Sequence, residues 1–541
     1  MVLYTEYTWL VVAGALLSVF VAYGIGANDV ANSFATSVAS RAISLRQCVV
    51  IAGICEFLGA VLMGASVTGT IKDGITSAGA FAEAPDLLMY GMCCALLACG
   101  IWLLVATWLE LPVSTTHSIV GAIIGMTVVS RGWDAVDWHS STDTGLRIEG
   151  VSSIVLGWVF APLLSGTLAA IAFLVLRTTV LRAENSTTRS YFVLPPLTFA
   201  TFYIIVYFIC EKGGKAFDLQ DLPEWQKQVS AISVGAGFAI IAACLMPWLK
   251  KKVARDMAEL DKHAAQQMHT SAVQKAEGDL EQAGDGRAAV AEQTRQEKLM
   301  ALTSMGNVTG AQIVSTEAAQ ATGGKFSRAI KNGLYKDVHG VIGTDEVVGD
   351  IHLAAERFQP STEQTFRYLQ VFTAMVNAFA HGSNDVANAI GPFAAIYSTY
   401  RLSQVSSEAD IPIWIYVMGG VGLVLGLATY GYKIIRALGV KVTRITNSRG
   451  FVIEISAAVI TIIGSRYGLP LSTTQTLTGA VIGVGILEGG KGLNWKLLVK
   501  FFIGWVFTLV VAATTAALFM ALGIYTPNRH CTADRVAGRL T

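Results

Sequence analysis

Charge-free apolar stretches long enough to cross a bilayer recur along most of this chain, and they restrict its fold more than any other feature. Leu87–Leu109, Val151–Leu176 and Val229–Leu249 contain no charged side chain. Each exceeds the roughly 20 residues that a helix needs to span about 30 Å of hydrocarbon. Only 14% of the 541 residues are charged, where soluble domains carry roughly 25%. In lipid every backbone N–H and C=O must be satisfied within the chain, so such stretches are expected to be helices. The fold class that follows is an all-α polytopic membrane protein. A net charge of +1 gives no reason to expect a nucleic-acid partner. Seven of the eight cysteines lie in or beside apolar segments at spacings that suit no metal, so they are read as packing residues rather than disulfides. The opening MVLYTEY lacks the basic segment of a cleavable signal.

Loop charges give an orientation. With the N-terminus outside, the loops predicted inside are basic: Arg41 and Arg46, then Arg177, Arg182 and Arg189 against Glu184, then Lys250–Lys252 with Arg255. The loops predicted outside lean acidic, through Asp73, Glu83 and Asp86, then Asp134, Asp137, Asp143 and Glu149. This gives seven crossings before residue 250. Residues 250–364 lose the apolar pattern and are read as a cytoplasmic linker with some amphipathic helix. Five more crossings follow, about twelve transmembrane helices in all, with both termini outside. The expected division is a first transmembrane half at 1–249, the linker at 250–364 and a second half at 365–541. Glycosylation patterns at Asn185 and Asn307 then fall on cytoplasmic loops and are discounted.

The two halves repeat each other. GANDVAN at Gly26–Asn32 returns as GSNDVAN at Gly382–Asn388, 356 residues later. LPVSTTHSIVGAIIG at Leu111–Gly125 returns as LPLSTTQTLTGAVIG at Leu469–Gly483, 358 residues later. The first copy covers about 8–176. The loop after its second helix is acidic, whereas the corresponding Lys433–Arg449 is basic with no acid. Corresponding loops on opposite sides point to inverted repeats, with broken or re-entrant helices and a midplane substrate site, as in secondary transporters. A channel could share this topology, but nothing here resembles a selectivity filter.

Asp29 is the only charged residue between Glu6 and Arg41, and Asp385 the only one between Arg367 and Arg401. A carboxylate at membrane depth marks function. Tyr7–Ser40 would be about 51 Å long as one helix. A break is therefore predicted near Gly24 and Gly26, with the freed N–H groups and positive dipole end suited to an anion. Asn28 and Asn32 share a helix face with Asp29, and Asn384, Asp385 and Asn388 duplicate the set. The amides can donate to an oxyanion, and the carboxylates can bind a cation or a proton. Polar packing between helices accounts for the asparagines but poorly for the aspartates.

Pro112 and Pro470 suit re-entrant corners. The hydroxyls of Ser114, Thr115, Thr116, Ser472, Thr473 and Thr474 can cap helices, donate to phosphate oxygens or coordinate a small cation. Glu56 and Glu454 are further intramembrane acids, read as cation coupling or gating groups. They occupy different repeat positions: Glu454 aligns with Leu96, and Glu56 falls near Leu423. Glu110 could simply reach the interface, and His117 and His381 suit either proton sensing or packing. A Ser114–His117–Asp29 triad is not supported, because no nucleophile elbow is present and Gln475 replaces His117 in the second copy. An enzyme is not expected.

With GANDVANSF, GSNDVANAIGP, LPVSTTH and LPLSTTQ in place, the chain resembles the inorganic phosphate transporter (PiT) family of secondary symporters, over residues 8–176 and 365–524. The resemblance implies phosphate uptake coupled to a cation gradient by alternating access. It carries phosphate binding to Asn28, Asn32, Asn384, Asn388 and the two Ser-Thr-Thr runs. Sodium is placed near Asp29, Asp385, Thr116 and Thr474, with Glu56 and Glu454 where eukaryotic sodium-dependent members keep their transport glutamates. Proton coupling and sulfate transport are the alternatives. Gln475 replaces the histidine common in the second motif, so pH dependence does not carry over, and the linker is shorter than in animal members. The expected partners are the bilayer, phosphate, sodium or protons, and a second copy in a homodimer. No cofactor beyond the coupling ion is expected, and the plasma membrane is the default location.

Overall fold

The described residues fold mainly into helices. The computed structural model describes residues 5–64, 78–141, 148–212, 219–279, 330, 333–405, 411–466 and 471–526. Its first part contains Thr8–Asn28 (α1), Val30–Ala39 (α2), Leu45–Met63 (α3), Pro85–Trp108 (α4), Thr115–Arg131 (α5), Val151–Leu176 (α6), Ser186–Lys212 (α7) and Glu224–Asp279 (α8). Glu346–Ala354 (α9) precedes Pro360–Leu402 (α10), Ile413–Tyr430 (α11), Asn447–Arg466 (α12), Thr473–Ile486 (α13) and Trp495–Tyr525 (α14). Among the described residues, the strand pairing is a single ladder of Ser140–Ser141 with Ile148–Glu149.

Eight described segments are long and apolar enough to cross a membrane: Thr8–Ala39, Leu45–Met63, Pro85–Trp108, Val155–Leu181, Ser186–Cys210, Glu224–Lys262, Ile413–Tyr430 and Trp495–Tyr525. The protein is an all-α, multi-pass integral membrane protein. The other four places where the sequence predicts crossings are taken by α5, α10, α12 and α13. At 17 and 14 residues, α5 and α13 rise only about 26 and 21 Å. The polar residues of α10 and α12 dilute their apolar character. The expected boundary at residue 250 falls inside α8, which continues to Asp279. Most of the linker, 280–329 with Asn307, lies outside the described residues, as do Asp73, Asp143 and Pro470.

The predicted break near Gly24 and Gly26 is corrected. The interruption falls at Asp29, between α1 and α2, and even there the backbone stays right-handed, with Asp29 N–H donating to Ile25 O at 2.7 Å. In the second copy α10 runs unbroken through Gly382 and Pro392. No new helix N-terminus opens at that motif, so the anion site expected on a stub helix is absent there. The glycines serve packing instead. A Cβ on Gly26 would overlap the Leu423 carbonyl, and one on Gly426 would overlap that of Tyr23. In the other copy Gly382 lies against the Glu56 carbonyl, and Gly59 against that of Phe379. Close backbone approach at small residues is how membrane helices gain packing contacts without a hydrophobic drive.

These two crossings, α1 on α11 and α10 on α3, are the same contact made twice. Gly26 meets Leu423 where Gly382 meets Glu56, so Glu56 and Leu423 occupy matching places, as the sequence alignment placed them. A second reciprocal pair joins α5 to α14 and α13 to α6. There Gly125 lies on the Ala513 carbonyl and Gly483 on that of Gly166. Helices α7 and α8 pack on each other and on α10, outside this pattern.

On the side of the basic loops, residues 333–359 fold back against the helix ends. His339 Nε2 lies 3.3 Å from Ala39 O, and His352 Nε2 3.0 Å from Val440 O. Arg449 and Glu488 form a fully buried pair at 2.6 Å. Glu488 Oε2 also accepts the Glu356 N–H at 2.7 Å, and Arg449 donates to Glu356 O at 2.9 Å. Glu356 in turn holds Arg182 at 2.8 Å. The last part of the expected linker is thus tied to α12 and to the segments that follow α6 and α13.

Candidate functional site

The N-termini of α5 and α13 deliver both Ser-Thr-Thr runs to the aspartates. Ser114 and Ser472 are the N-caps, accepting the N–H of His117 and Gln475 at 3.3 Å each. The serine hydroxyls are therefore engaged in capping, while threonines turn toward the carboxylates. Asp29 Oδ2 accepts the Thr115 N–H at 3.3 Å, and Asp29 Oδ1 accepts the Thr474 hydroxyl at 3.1 Å. Asp385 Oδ2 accepts the hydroxyls of Thr115 at 3.4 Å and Thr473 at 3.5 Å. Each aspartate thus touches threonines, and Thr115 and Thr474 bind acids or backbone across the two copies. Helix N-termini favour negative charge, which suits carboxylates placed here.

The asparagines divide by role. Asn28 Nδ2 donates to Thr107 Oγ1 and Leu111 O, both at 3.0 Å, and Asn28 Oδ1 accepts the Val113 N–H at 3.0 Å. Its carboxamide stitches α1 to the corner between α4 and α5. Asn388 Nδ2 donates to Thr115 Oγ1 at 3.0 Å and Thr116 Oγ1 at 3.2 Å, orienting both hydroxyls. Asn384 lines a small cavity with Ser33, Asn377, His381, Thr461 and Thr473. The side chain of Asn32 lies outside the described residues.

His381 is the group that sequence reading left undecided. Its Nδ1 lies 3.0 Å from Glu56 Oε2 and its Nε2 2.9 Å from Asp385 Oδ2, with all three residues buried. Glu56 is thereby connected to the central site through one imidazole, and its Oε1 has no hydrogen-bond partner among the described residues. Asp29, His381 and Asp385 each bring one ligand atom within 4.8 Å of the others, a spacing that can hold a cation. Glu454 stands apart from this group. It accepts hydroxyls from Thr36, Ser37 and Thr373 and lies on the wall of a second, mostly apolar cavity. The two cavities share Asn377, Ala380 and Thr461. Asn377 was missed, although its spacing to His381, Asn384 and Asn388 marks one polar face along α10.

Residues 25–516 match the model of the phosphate transporter family. The phosphate-repressible phosphate permease pho-4 of Neurospora crassa is 34% identical over 97% of this chain and 98% of its own length. Sodium-dependent phosphate transporter 1 of Mus musculus is 28% identical over 96% of this chain and 95% of its own. A solved structure described as the sodium-dependent phosphate transporter aligns with a TM-score of 0.65 at 27% identity, covering 96% of this chain and all of that one. A family match over most of the chain, together with a relative alike along its whole length, leaves one conclusion: this chain belongs to the phosphate transporter family.

Proposed function

We propose that the protein is a secondary active symporter that imports inorganic phosphate on a sodium gradient by alternating access. The observation that carries this reading is the meeting of Asp29 and Asp385, one from each copy of the motif, around the threonines of α5 and α13. Two carboxylates at this depth repel one another and would repel a phosphate dianion. Sodium held by their oxygens and by the hydroxyls of Thr116 and Thr474 offsets that charge before phosphate enters. Phosphate then takes donors from Asn384, Asn388, Asn32, Thr115 and Thr473. Asn28, Ser114 and Ser472 act by holding the corners that present those donors. Once its charges are compensated, the loaded site moves between its two openings at lower cost. Glu56 acts through His381, and Glu454 from the adjoining cavity, to link cation occupancy to that movement.

Sodium is supported by the relatives whose names describe sodium-dependent phosphate transport. Inverted repeats within halves 1–249 and 365–541, external termini, a plasma-membrane location and a homodimer belong to the same reading. His381 between two carboxylates gives a reason to keep proton coupling as the second reading. Labelled phosphate uptake into proteoliposomes, with sodium and pH gradients imposed separately and sulfate as competitor, tests both. Sodium-driven uptake insensitive to sulfate is the expected result. Uptake on a pH gradient alone selects the second reading, and the absence of uptake under either gradient removes both.

A further inference from the structure

Four basic side chains converge on one backbone corner that contains a single acid. The corner joins α4 to α5, and Glu110 within it has φ +57°, a left-handed conformation unusual for a residue with a side chain. Its carboxylate is gripped by Arg436 and by Lys441 Nζ at 2.6 Å, both from the turn after α11. Lys433 donates to Trp108 O at 3.1 Å, and Lys500 to Leu109 O at 3.3 Å. Arg436 Nε is buried there with no acceptor among the described residues. The corner is also what Asn28 grips, through Leu111 O and Val113 N–H, so it borders the central site directly.

A guanidinium and an ammonium on one carboxylate, with two more ammonium groups on the neighbouring backbone carbonyls, form a receptor for a tetrahedral oxyanion, because phosphate offers acceptor oxygens with more charge. We propose that this corner is a second, weaker oxyanion site at the mouth on the basic-loop side, and that Glu110 occupies it as a tethered stand-in which phosphate displaces on its way out. The inference rests on the transport reading above and adds a station to its route. Displacing Glu110 frees the corner from the turn after α11. Because Asn28 holds the same corner, arrival of phosphate there loosens the packing beside the site it has just left.

The test uses the full-length protein in liposomes of neutral phosphatidylcholine, measuring half-saturating phosphate separately on each side by exchange of labelled phosphate. Removing the stand-in should tighten phosphate on the basic-loop side. Glu110→Gln is expected to lower half-saturation there by about fivefold and leave the opposite side unchanged. Glu110→Gly, which suits the left-handed backbone, should give the same gain without straining the backbone of the corner. Lys441→Ala and Lys500→Ala should weaken phosphate on that side only. If Glu110 is no more than half of a structural ion pair, its replacements and Lys441→Ala will shift both sides alike or neither, and the inference fails. A gain that requires anionic lipid in the vesicle would instead identify a lipid-headgroup site and also overturn it. If the wild-type protein exchanges no phosphate, the transport reading falls first and takes this one with it.

Discussion

Replacing Gly26 by alanine tests whether the crossing of α1 and α11 fixes the geometry of the central site. The added Cβ would overlap the Leu423 carbonyl oxygen and lie 2.7 Å from its carbon and 2.9 Å from its Cα. Ordinary contact begins near 3.4 Å. The obstacle is backbone, so no rotamer change relieves it, and the two helices must part by about 1 Å. Overpacking of this kind costs roughly 1–3 kcal/mol. Asp29 lies three residues along the same helix, so the displacement reaches it. Misplacing a reacting group by 1 Å can cost on the order of 100-fold in a preorganised site. Phosphate uptake per molecule of purified protein in proteoliposomes should therefore fall at least about tenfold. Gly237→Ala, whose Cβ meets nothing within 4 Å, serves as the control and should transport normally. Wild-type uptake by the Gly26→Ala protein would show that the crossing yields without moving the site, and the reasoning would be wrong.

Three further outcomes are expected. Asp29→Asn and Asp385→Asn should each abolish sodium-coupled phosphate uptake while leaving the amount of folded protein in the membrane near normal, measured by uptake and by gel filtration of the detergent-extracted protein. Glu488→Gln strands the buried Arg449 charge and should destabilise the protein by about 3–5 kcal/mol. Combining Arg449→Met with Glu488→Leu should recover most of that loss in thermal unfolding. Burial lowers the pKa of His352 to about 4 and that of His339 to about 3. Their folded-state values lie below the ordinary histidine value of 6.5, so the stability they confer is present above that pH and declines as pH falls toward 4 and then 3. Protease sensitivity of residues 333–359 should rise across that window, and flat sensitivity would exclude the mechanism.

The helical, multi-pass class could be read before any coordinates, because charge-free apolar stretches of membrane length are visible in the sequence. Two motifs at offsets of 356 and 358 placed the copies, and the alignment of Glu56 with Leu423 reappears as matching positions at two crossings. What could not be read depends on partners distant in the chain. For Asn28 the sequence does not show that Thr107, Leu111 and Val113 engage its carboxamide. Arg449 reads as one more positive-inside residue, yet Glu488 neutralises it after a separation of 39 residues. The helix break was misplaced for a simpler reason. Glycine signals either a kink or close packing, and the choice depends on a neighbouring helix that spacing alone does not reveal.

If the backbone crossings alone set the balance, a duplicated transporter would rest with equal ease toward either compartment. The wiring laid over them is lopsided. Where Gly382 backs onto an acid that reaches His381, Gly26 backs onto a leucine, and Ile25 stands at the position that His381 holds in the other copy. In the cycle proposed here, that pair of mismatches removes the degeneracy between the two resting orientations, so the favoured direction of the empty carrier is encoded in side chains laid over a nearly symmetric frame.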